Sequence, residues 1–168
     1  INDTYGIANR ETTSICKDAD GFTWIASKTG IMRLTDSDCR VYQLPYESMA
    51  VVSVEITWQK NRLLAFTNKG EIFCYNPRHD SFERFFNFSR QMNVANLWVF
   101  NLEVDRDGSL WIASSRGLYY YKDYRCTLIT QTAGEAYHTT RYDARHLIAA
   151  GPGGIFLVDT KQHHVERW

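Results

Sequence analysis

The alternation of apolar and polar positions along the chain predicts β-strands throughout. Apolar stretches such as 51–59 (VVSVEITWQ), 62–67 (RLLAFT) and 96–105 (NLWVFNLEVD) are short and rich in β-branched and aromatic residues. Polar pairs such as DG, KN and KG separate them, and these residues favour the tight turns that join antiparallel strands. Because no segment shows a sustained helical stripe of apolar residues, we predict an all-β fold.

A repeated unit organises these strands. Residues 18–27 read DADGFTWIAS, and residues 105–114 read DRDGSLWIAS. In both copies a glycine follows the tryptophan by six positions, and two weaker copies keep that spacing from an aliphatic anchor to a glycine. The four anchors, about forty residues apart, are Trp24, Leu64, Trp111 and Ile148. A period of this length, made of strands, indicates one supersecondary unit present four times.

Each repeat is predicted to fold as four antiparallel strands, which we label a to d, with the anchor on strand b. In the first repeat these strands are expected at 12–18, 23–27, 31–35 and 40–44. Four antiparallel strands in about forty residues describe a blade of a β-propeller. We therefore expect residues 1–168 to form part of a β-propeller, with an N-terminal segment at 1–10 and blades at about 11–44, 48–86, 97–130 and 137–168.

The residues of the repeat have structural roles in this interpretation. The aspartates are expected to accept hydrogen bonds from turn amides, and the glycines of DADG and DRDG to adopt a positive φ. The tryptophans are expected to fill the space between neighbouring sheets. The framework residues are Asp18, Gly21, Trp24, Gly30, Leu64, Gly70, Asp105, Gly108, Trp111, Gly117, Ile148 and Gly154.

Two segments resemble a known family. DADGFTWIASKTGIMRL and DRDGSLWIASSRGLYYY resemble the regulator-propeller repeat, and TYGIANRETTSICKDADGFTWIAS is similar to the start of the sensor region built from it. That region belongs to hybrid two-component histidine kinase/response regulators of Bacteroidetes. The resemblance implies a periplasmic sensor attached to a membrane-anchored kinase parent, with an oligosaccharide as the signal and polysaccharide-utilisation genes as the output.

The family implies a seven-bladed ring, of which four repeats would be a part. The first and last blades would then expose apolar faces. We expect these faces to meet the remaining blades of the parent protein or to be covered by self-association.

Candidate ligand residues lie in the predicted b–c turns and in the connectors from strand d to the next strand a, which share one rim. Cations in three of the turns could hold an acidic sugar or carboxylates of a partner, and residues of one connector could stack on or hydrogen-bond to a sugar. The alternative is that the cations are ordinary solvated turn residues and the aromatic side chain belongs to the core. These candidates are Lys28, Lys69, Arg116, Tyr137, His138 and Arg141.

Composition narrows the possible functions. The chain has 19 basic and 19 acidic residues, so no overall field attracts nucleic acid or an anionic membrane. We expect no membrane segment, because the longest apolar run is short and contains Gly and Pro. The DADG turn lacks the ligand spacing of a calcium-binding EF-hand loop, no nucleophile or paired-carboxylate motif is present, and no cofactor or metal is expected.

The sequence leaves open the state of the cysteines and the class of function. Cys16, Cys39, Cys74 and Cys126 form no CxxC pair, and buried thiols are favoured over disulfides. A non-enzymatic sensor is favoured over two other functions: a protein-interaction platform, and a propeller enzyme acting on carbohydrates.

Overall fold

The computed structural model describes residues 11–28, 30–47, 51, 54–59, 61–129, 136 and 138–168. The chain divides into two compact units, Ile1–Arg90 and Gln91–Trp168. Within the described residues there are sixteen strands and one short helix. They form four sheets of four antiparallel strands, which confirms the predicted all-β class.

The first unit contains two of these sheets. Sheet 1 has the order β1-β2-β3-β4, and sheet 2 the order β5-β6-β7-β8, each a simple meander. A short helix, α1, follows sheet 2 and includes the first two residues of the second unit. The elements are β1 Thr12–Lys17, β2 Thr23–Ser27, β3 Gly30–Leu34, β4 Cys39–Tyr42, β5 Val54–Gln59, β6 Arg62–Thr67, β7 Glu71–Asn76, β8 Ser81–Asn87 and α1 Phe88–Met92.

The second unit contains the other two sheets, again as meanders. Sheet 3 consists of β9 to β12 and sheet 4 of β13 to β16, in chain order. The strands are β9 Val99–Val104, β10 Leu110–Ser114, β11 Gly117–Lys122, β12 Arg125–Ile129, β13 His138–Arg141, β14 His146–Gly151, β15 Gly154–Asp159 and β16 Val165–Arg167.

Each unit has an apolar core between its two sheets. In the first unit, Trp24 and Ala26 of β2 pack towards Leu63 and Ala65 of β6. The second unit repeats this arrangement on β10 and β14, where the cluster contains Trp111, Ala113, Leu147 and Ala149. A large ring facing small side chains lets neighbouring sheets approach closely, as the sequence predicts.

Strand pairing shows that the turn after strand b does not have the same length in all four repeats. Trp24, Trp111 and Ile148 each pair with the residue nine positions later, whereas Leu64 pairs with Cys74, ten positions later. The turn after β6 is therefore one residue longer than the turns after β2, β10 and β14. This turn holds Gly70 at a φ of +81°, whereas Gly117 and Gly154 begin the next strand in their repeats.

The anchors also differ in burial. Leu64 is fully buried like the two tryptophans, whereas Ile148 is half-buried. Strand alternation places Leu64 and Ile148 on the opposite strand face from Leu63 and Leu147, which belong to the core clusters described above.

The structure also shows the state of the cysteines and the character of its helix. All four cysteines are half-buried, and none is joined to another in a disulfide. Of the helices in the described part of the chain, none has the length and apolar character needed to cross a membrane.

Two glycines with nearly the same positive φ provide a matched stability test. Gly70 has a φ of +81° and Gly108 a φ of +84°, so alanine is strained at both, by about 1–2 kcal/mol. A Cβ at Gly70 would also lie 2.9 Å from Ser89 Oγ, whereas none of the described atoms lies within 4 Å of a Cβ at Gly108. Ser89 Oγ is held by its hydrogen bond to the Lys69 carbonyl oxygen.

We therefore expect Gly70→Ala to lower the free energy of unfolding more than Gly108→Ala does, by about 1 kcal/mol or more. Urea denaturation of both variants and the unmodified chain measures the difference. Equal losses would mean that the turn after β6 adapts to the extra methyl group.

Candidate functional site

A carboxylate organises the turn between β1 and β2. Asp18 Oδ1 accepts hydrogen bonds from the amides of Asp20 and Phe22 at 3.0 and 2.9 Å. Its Oδ2 accepts the indole N–H of Trp24 at 2.7 Å. One side chain therefore closes the turn and satisfies the polar group of a fully buried ring.

The third repeat keeps the aspartate–indole bond but holds its turn through a different amide. Asp105 Oδ2 accepts the Trp111 indole N–H at 2.9 Å, and its Oδ1 accepts the Arg106 amide at 2.6 Å. Arg141, at the end of β13, adds a hydrogen bond to Asp105 Oδ1 at 3.1 Å. The aspartate thus links the turn of sheet 3 to sheet 4.

A polar group of side chains lies beside Trp24, between sheets 1 and 2. Asp80 Oδ1 accepts the hydroxyls of Tyr75 and Tyr42 at 2.5 and 2.7 Å, and Arg33 Nη1 lies 3.3 Å from it. Arg40 forms an ion pair with the other carboxylate oxygen. We call Arg33, Arg40, Tyr42, Tyr75 and Asp80 the Asp80 cluster.

The Asp80 cluster is electrostatically compensated. Burial would raise the pKa of Asp80, but the tyrosine hydrogen bonds and the two arginine charges outweigh it and lower the pKa. Burial, and then the hydrogen bond to Asp80, raise the pKa of both Tyr42 and Tyr75, so these hydroxyls stay protonated as donors. The Arg33 guanidinium also lies 5.5 Å from the centre of the Trp24 ring.

The second unit has different residues at the equivalent positions. Tyr120 is the strand partner of Trp111, as Arg33 is the strand partner of Trp24. His163 has a positive φ, as Asp80 has, and is the last of the four residues between the hydrogen-bonded Asp159 and His164. The four matching positions hold Tyr120, Ile129, Val158 and His163 in place of Arg33, Tyr42, Tyr75 and Asp80. The half-buried ion pair between Arg33 and Asp80 therefore has no equivalent at these positions.

A cleft of about 290 Å³ lies next to Tyr120 in the second unit. Turns of two sheets form it: the turn between β9 and β10, the turn between β13 and β14, and the turn between β15 and β16. We call it the Tyr120 cleft. Its lining residues are Asp105, Arg106, Asp107, Tyr120, Ala144, Arg145, Thr160 and Lys161.

Both carboxylates of the cleft already have cationic partners. Asp105 binds Arg141, and Asp107 Oδ2 accepts a hydrogen bond from Lys122 Nζ at 2.7 Å. Burial would raise the pKa of Asp107, but the hydrogen bonds from Lys122 and Ser109 lower it to about 2. The negative charges of the lining are thus neutralised within the protein.

One of the three cations of the cleft is paired as well. Arg145 Nε donates to Asp159 Oδ2 at 2.7 Å, and this contact lowers the pKa of Asp159 well below its usual range. Arg106 and Lys161 are exposed, and neither side chain has an ion-pair or hydrogen-bond partner among the described residues. The cleft therefore presents two uncompensated positive charges.

The predicted ligand residues belong to different elements of the two units. Lys28 lies in the β2–β3 turn, where it forms an ion pair with Glu11, and Lys69 lies in the β6–β7 turn. Arg116 is exposed in the β10–β11 turn, and His138 is exposed at the start of β13. Tyr137 lies outside the described residues.

The placement of Arg141 in a connector is wrong. Arg141 is the last residue of β13, at the opposite end of the strand from His138, and it binds Asp105. Its Nη1 atom is buried without a hydrogen-bond partner in the described structure. None of the five predicted ligand residues that the structure describes lines the Tyr120 cleft.

Sequence reasoning missed the Tyr120 cleft because its residues come from two repeats. The DRDG turn was assigned a purely structural role, although it contributes Arg106 to the lining. The one available signal is the departure of the third repeat from the first: Arg106 replaces Ala19, and Tyr120 replaces Arg33. Among the described residues, no group of three His, Cys, Asp or Glu side chains is placed to hold a metal ion.

Comparison with known proteins identifies the fold. Neither protein-family models nor curated proteins match the sequence. Solved structures do match it: the extracellular domain of BT3049 from B. thetaiotaomicron, described as a hybrid two component system, has a TM-score of 0.75 at 16% identity and covers 100% of the chain. The extracellular domain of BT4673 from the same organism, described as a one component system, has a TM-score of 0.73 at 17% identity and covers 99%.

A WD40 β-propeller domain, that of Doa1, also matches, with a TM-score of 0.69 at 16% identity over 93% of the chain and 53% of Doa1's. The chain has a β-propeller fold. Each four-stranded sheet is one blade, as predicted from the repeats. The chain spans 26% of the length of each of the two B. thetaiotaomicron structures. Their fold agrees with the resemblance to the regulator propeller.

The aspartate–tryptophan hydrogen bond predicts a specific cost of changing the ring. In Trp24→Phe and Trp111→Phe, a carboxylate oxygen loses its indole donor while most of the apolar surface remains. We expect each change to lower the free energy of unfolding by about 1–3 kcal/mol. Trp168→Phe is the control, because Trp168 is 66% exposed. If all three variants unfold at the same urea concentration as the unmodified chain, the hydrogen bond does not stabilise the blade.

The Asp80 cluster predicts a pH dependence of stability. Because the pKa of Asp80 is lowered on folding from its ordinary value of 3.8, its contribution is complete above that value and is lost as the pH falls through the folded pKa. We expect Asp80→Asn to be less stable than the unmodified chain at pH 7 and to differ less from it near pH 2.

Urea unfolding between pH 7 and pH 2 tests this expectation, with Asp36→Asn, which changes an exposed turn residue, as the control. A difference between Asp80→Asn and the unmodified chain that stays constant over this range would contradict the role assigned to the Asp80 carboxylate.

Proposed function

We propose that the chain is a segment of an extracytoplasmic ligand-sensing propeller that belongs to a signalling protein of the two-component type. The observation that carries this proposal is the match of its fold, over its whole length, to the extracellular domain of BT3049. The motifs DADGFTWIAS and DRDGSLWIAS support the same assignment independently, because they resemble the regulator-propeller repeat. In this proposal the chain lies in the periplasm, and a membrane-anchored histidine kinase is its parent.

The signal that we propose is an oligosaccharide, and the output is the control of polysaccharide-utilisation genes. The chain itself is not an enzyme in this proposal, because its repeated polar residues hold turns and buried rings. Ligand binding would favour one arrangement of the parent protein over another, since a ligand shifts an equilibrium only by its difference in affinity for the two states.

A second candidate function is a platform for protein interaction. Exposed apolar side chains in β1, β4 and β15 support it: Ile15 is 68% exposed, Val41 38% and Ile155 50%. Such residues suit contact with further blades, with a second copy of the chain or with another protein. The similarity to a WD40 domain is compatible with this candidate.

A calorimetric titration of the full chain separates the candidates. The ligands are a panel of neutral and acidic oligosaccharides of two to six sugars, followed by chromatography of the sugars after long incubation. We expect saturable binding of at least one oligosaccharide without cleavage. Cleavage of any sugar would identify an enzyme instead, and the absence of binding across the panel would favour the interaction platform.

A further inference from the structure

We propose that the Tyr120 cleft binds the anionic group of an acidic saccharide, a carboxylate or a sulfate carried on a sugar ring. The inference deepens the proposed function, on which it rests, by naming the class of sugar and its site. Three observations carry it: the cleft, the two cations without partners, and the difference between two equivalent places in the same chain.

The two blade pairs differ in the side chains that lie beside their buried tryptophans. In the first unit, Arg33 and Asp80 face each other beside Trp24, and the tyrosine hydroxyls complete the network. In the second unit, the rings of His163 and Tyr120 are in contact, with their centres 4.4 Å apart and their planes at 60°, and the cleft lies beside Tyr120. Trp24 and Trp111 each keep the hydrogen bond to their aspartate, so the framework does not require the cleft.

Among the described residues, the acidic side chains around the Tyr120 cleft are all paired, but two of its basic side chains are not. Asp105, Asp107 and Asp159 each have one cationic partner, which are Arg141, Lys122 and Arg145 in turn. Arg106 and Lys161 remain, on turns of two different blades that line one cleft. An anion placed between them would complete the pairing, because charge-assisted hydrogen bonds from Arg and Lys favour carboxylate and sulfate oxygens.

The volume of the Tyr120 cleft and the side chains that line it suit a single charged sugar. The volume of about 290 Å³ is near the lower limit of ligand pockets, roughly 300–1,000 Å³, and suits one sugar ring rather than a long chain. Tyr120 provides an aromatic surface, and Thr160 and the cations provide polar contacts. This combination of one aromatic side chain and a few polar groups is suited to a charged sugar.

The experiment uses the full chain and three probes: digalacturonic acid, glucose 6-sulfate and neutral maltose. Titration by calorimetry at low and at physiological salt gives each affinity. We expect at least one acidic probe to bind more tightly than maltose, with an affinity that falls as salt is added. The affinities of the two acidic probes show whether the cleft prefers a carboxylate or a sulfate group.

Two variants test the site. Arg106→Gln with Lys161→Gln removes the uncompensated charges, and Ala144→Trp fills the cleft at an exposed position without changing charge. We expect each to weaken binding of the acidic probe by at least about tenfold. The matched control is Lys69→Gln with Arg116→Gln, which removes two cations from b–c turns outside the cleft and is expected to leave the affinity unchanged.

The outcomes separate this inference from the proposed function. Loss of binding in the control pair, with retention in the cleft variants, would overturn the Tyr120 cleft in favour of the b–c turns. Binding of neutral oligosaccharides alone would overturn the acidic ligand and leave the sensing function in place. If neither these probes nor any sugar of the wider panel binds, both proposals fail. Circular dichroism and urea unfolding establish that each variant is folded.

Discussion

The need to satisfy a buried indole N–H is the constraint on which the strongest repeats depend. Trp24 and Trp111 provide the apolar mass between blades, but a tryptophan can be fully buried at low cost only if its nitrogen has an acceptor. The acceptor is an aspartate six residues earlier, whose other oxygen holds the preceding turn. The hairpin and the contact between blades are therefore stabilised together by one carboxylate.

The sequence reveals this framework because its parts lie within one repeat. The spacing of tryptophan and glycine predicts strand b and its turn, and the glycine of DADG is needed where φ is +89°. The bond from aspartate to indole was not predicted, because both groups have separate local roles that hide the connection. The longer turn after β6 was missed for a related reason: Leu64 and Gly70 keep the six-residue spacing although the register changes by one.

Contacts between repeats are harder to predict, since no periodicity marks them. Arg33 and Asp80 are 47 residues apart and belong to different blades, yet they share one half-buried network. A polar group at such a place needs its partner, so these positions change together: where Asp80 is replaced by His163, Arg33 is replaced by Tyr120. For the same reason the sequence does not reveal that Arg141 ends a strand and pairs with Asp105 of the neighbouring blade.

This separation between framework and variable positions has a consequence for recognition. The chain has no net charge, so no overall field draws an anion to it, and at physiological salt the field of a charge is largely screened beyond about 8 Å. An anionic ligand must then be recognised at contact distance, by cations that no carboxylate of the protein already neutralises. Blade turns can provide such cations without loss of stability, because the aspartate that holds the tryptophan leaves the next residue of the turn free to vary, as Ala19 and Arg106 show.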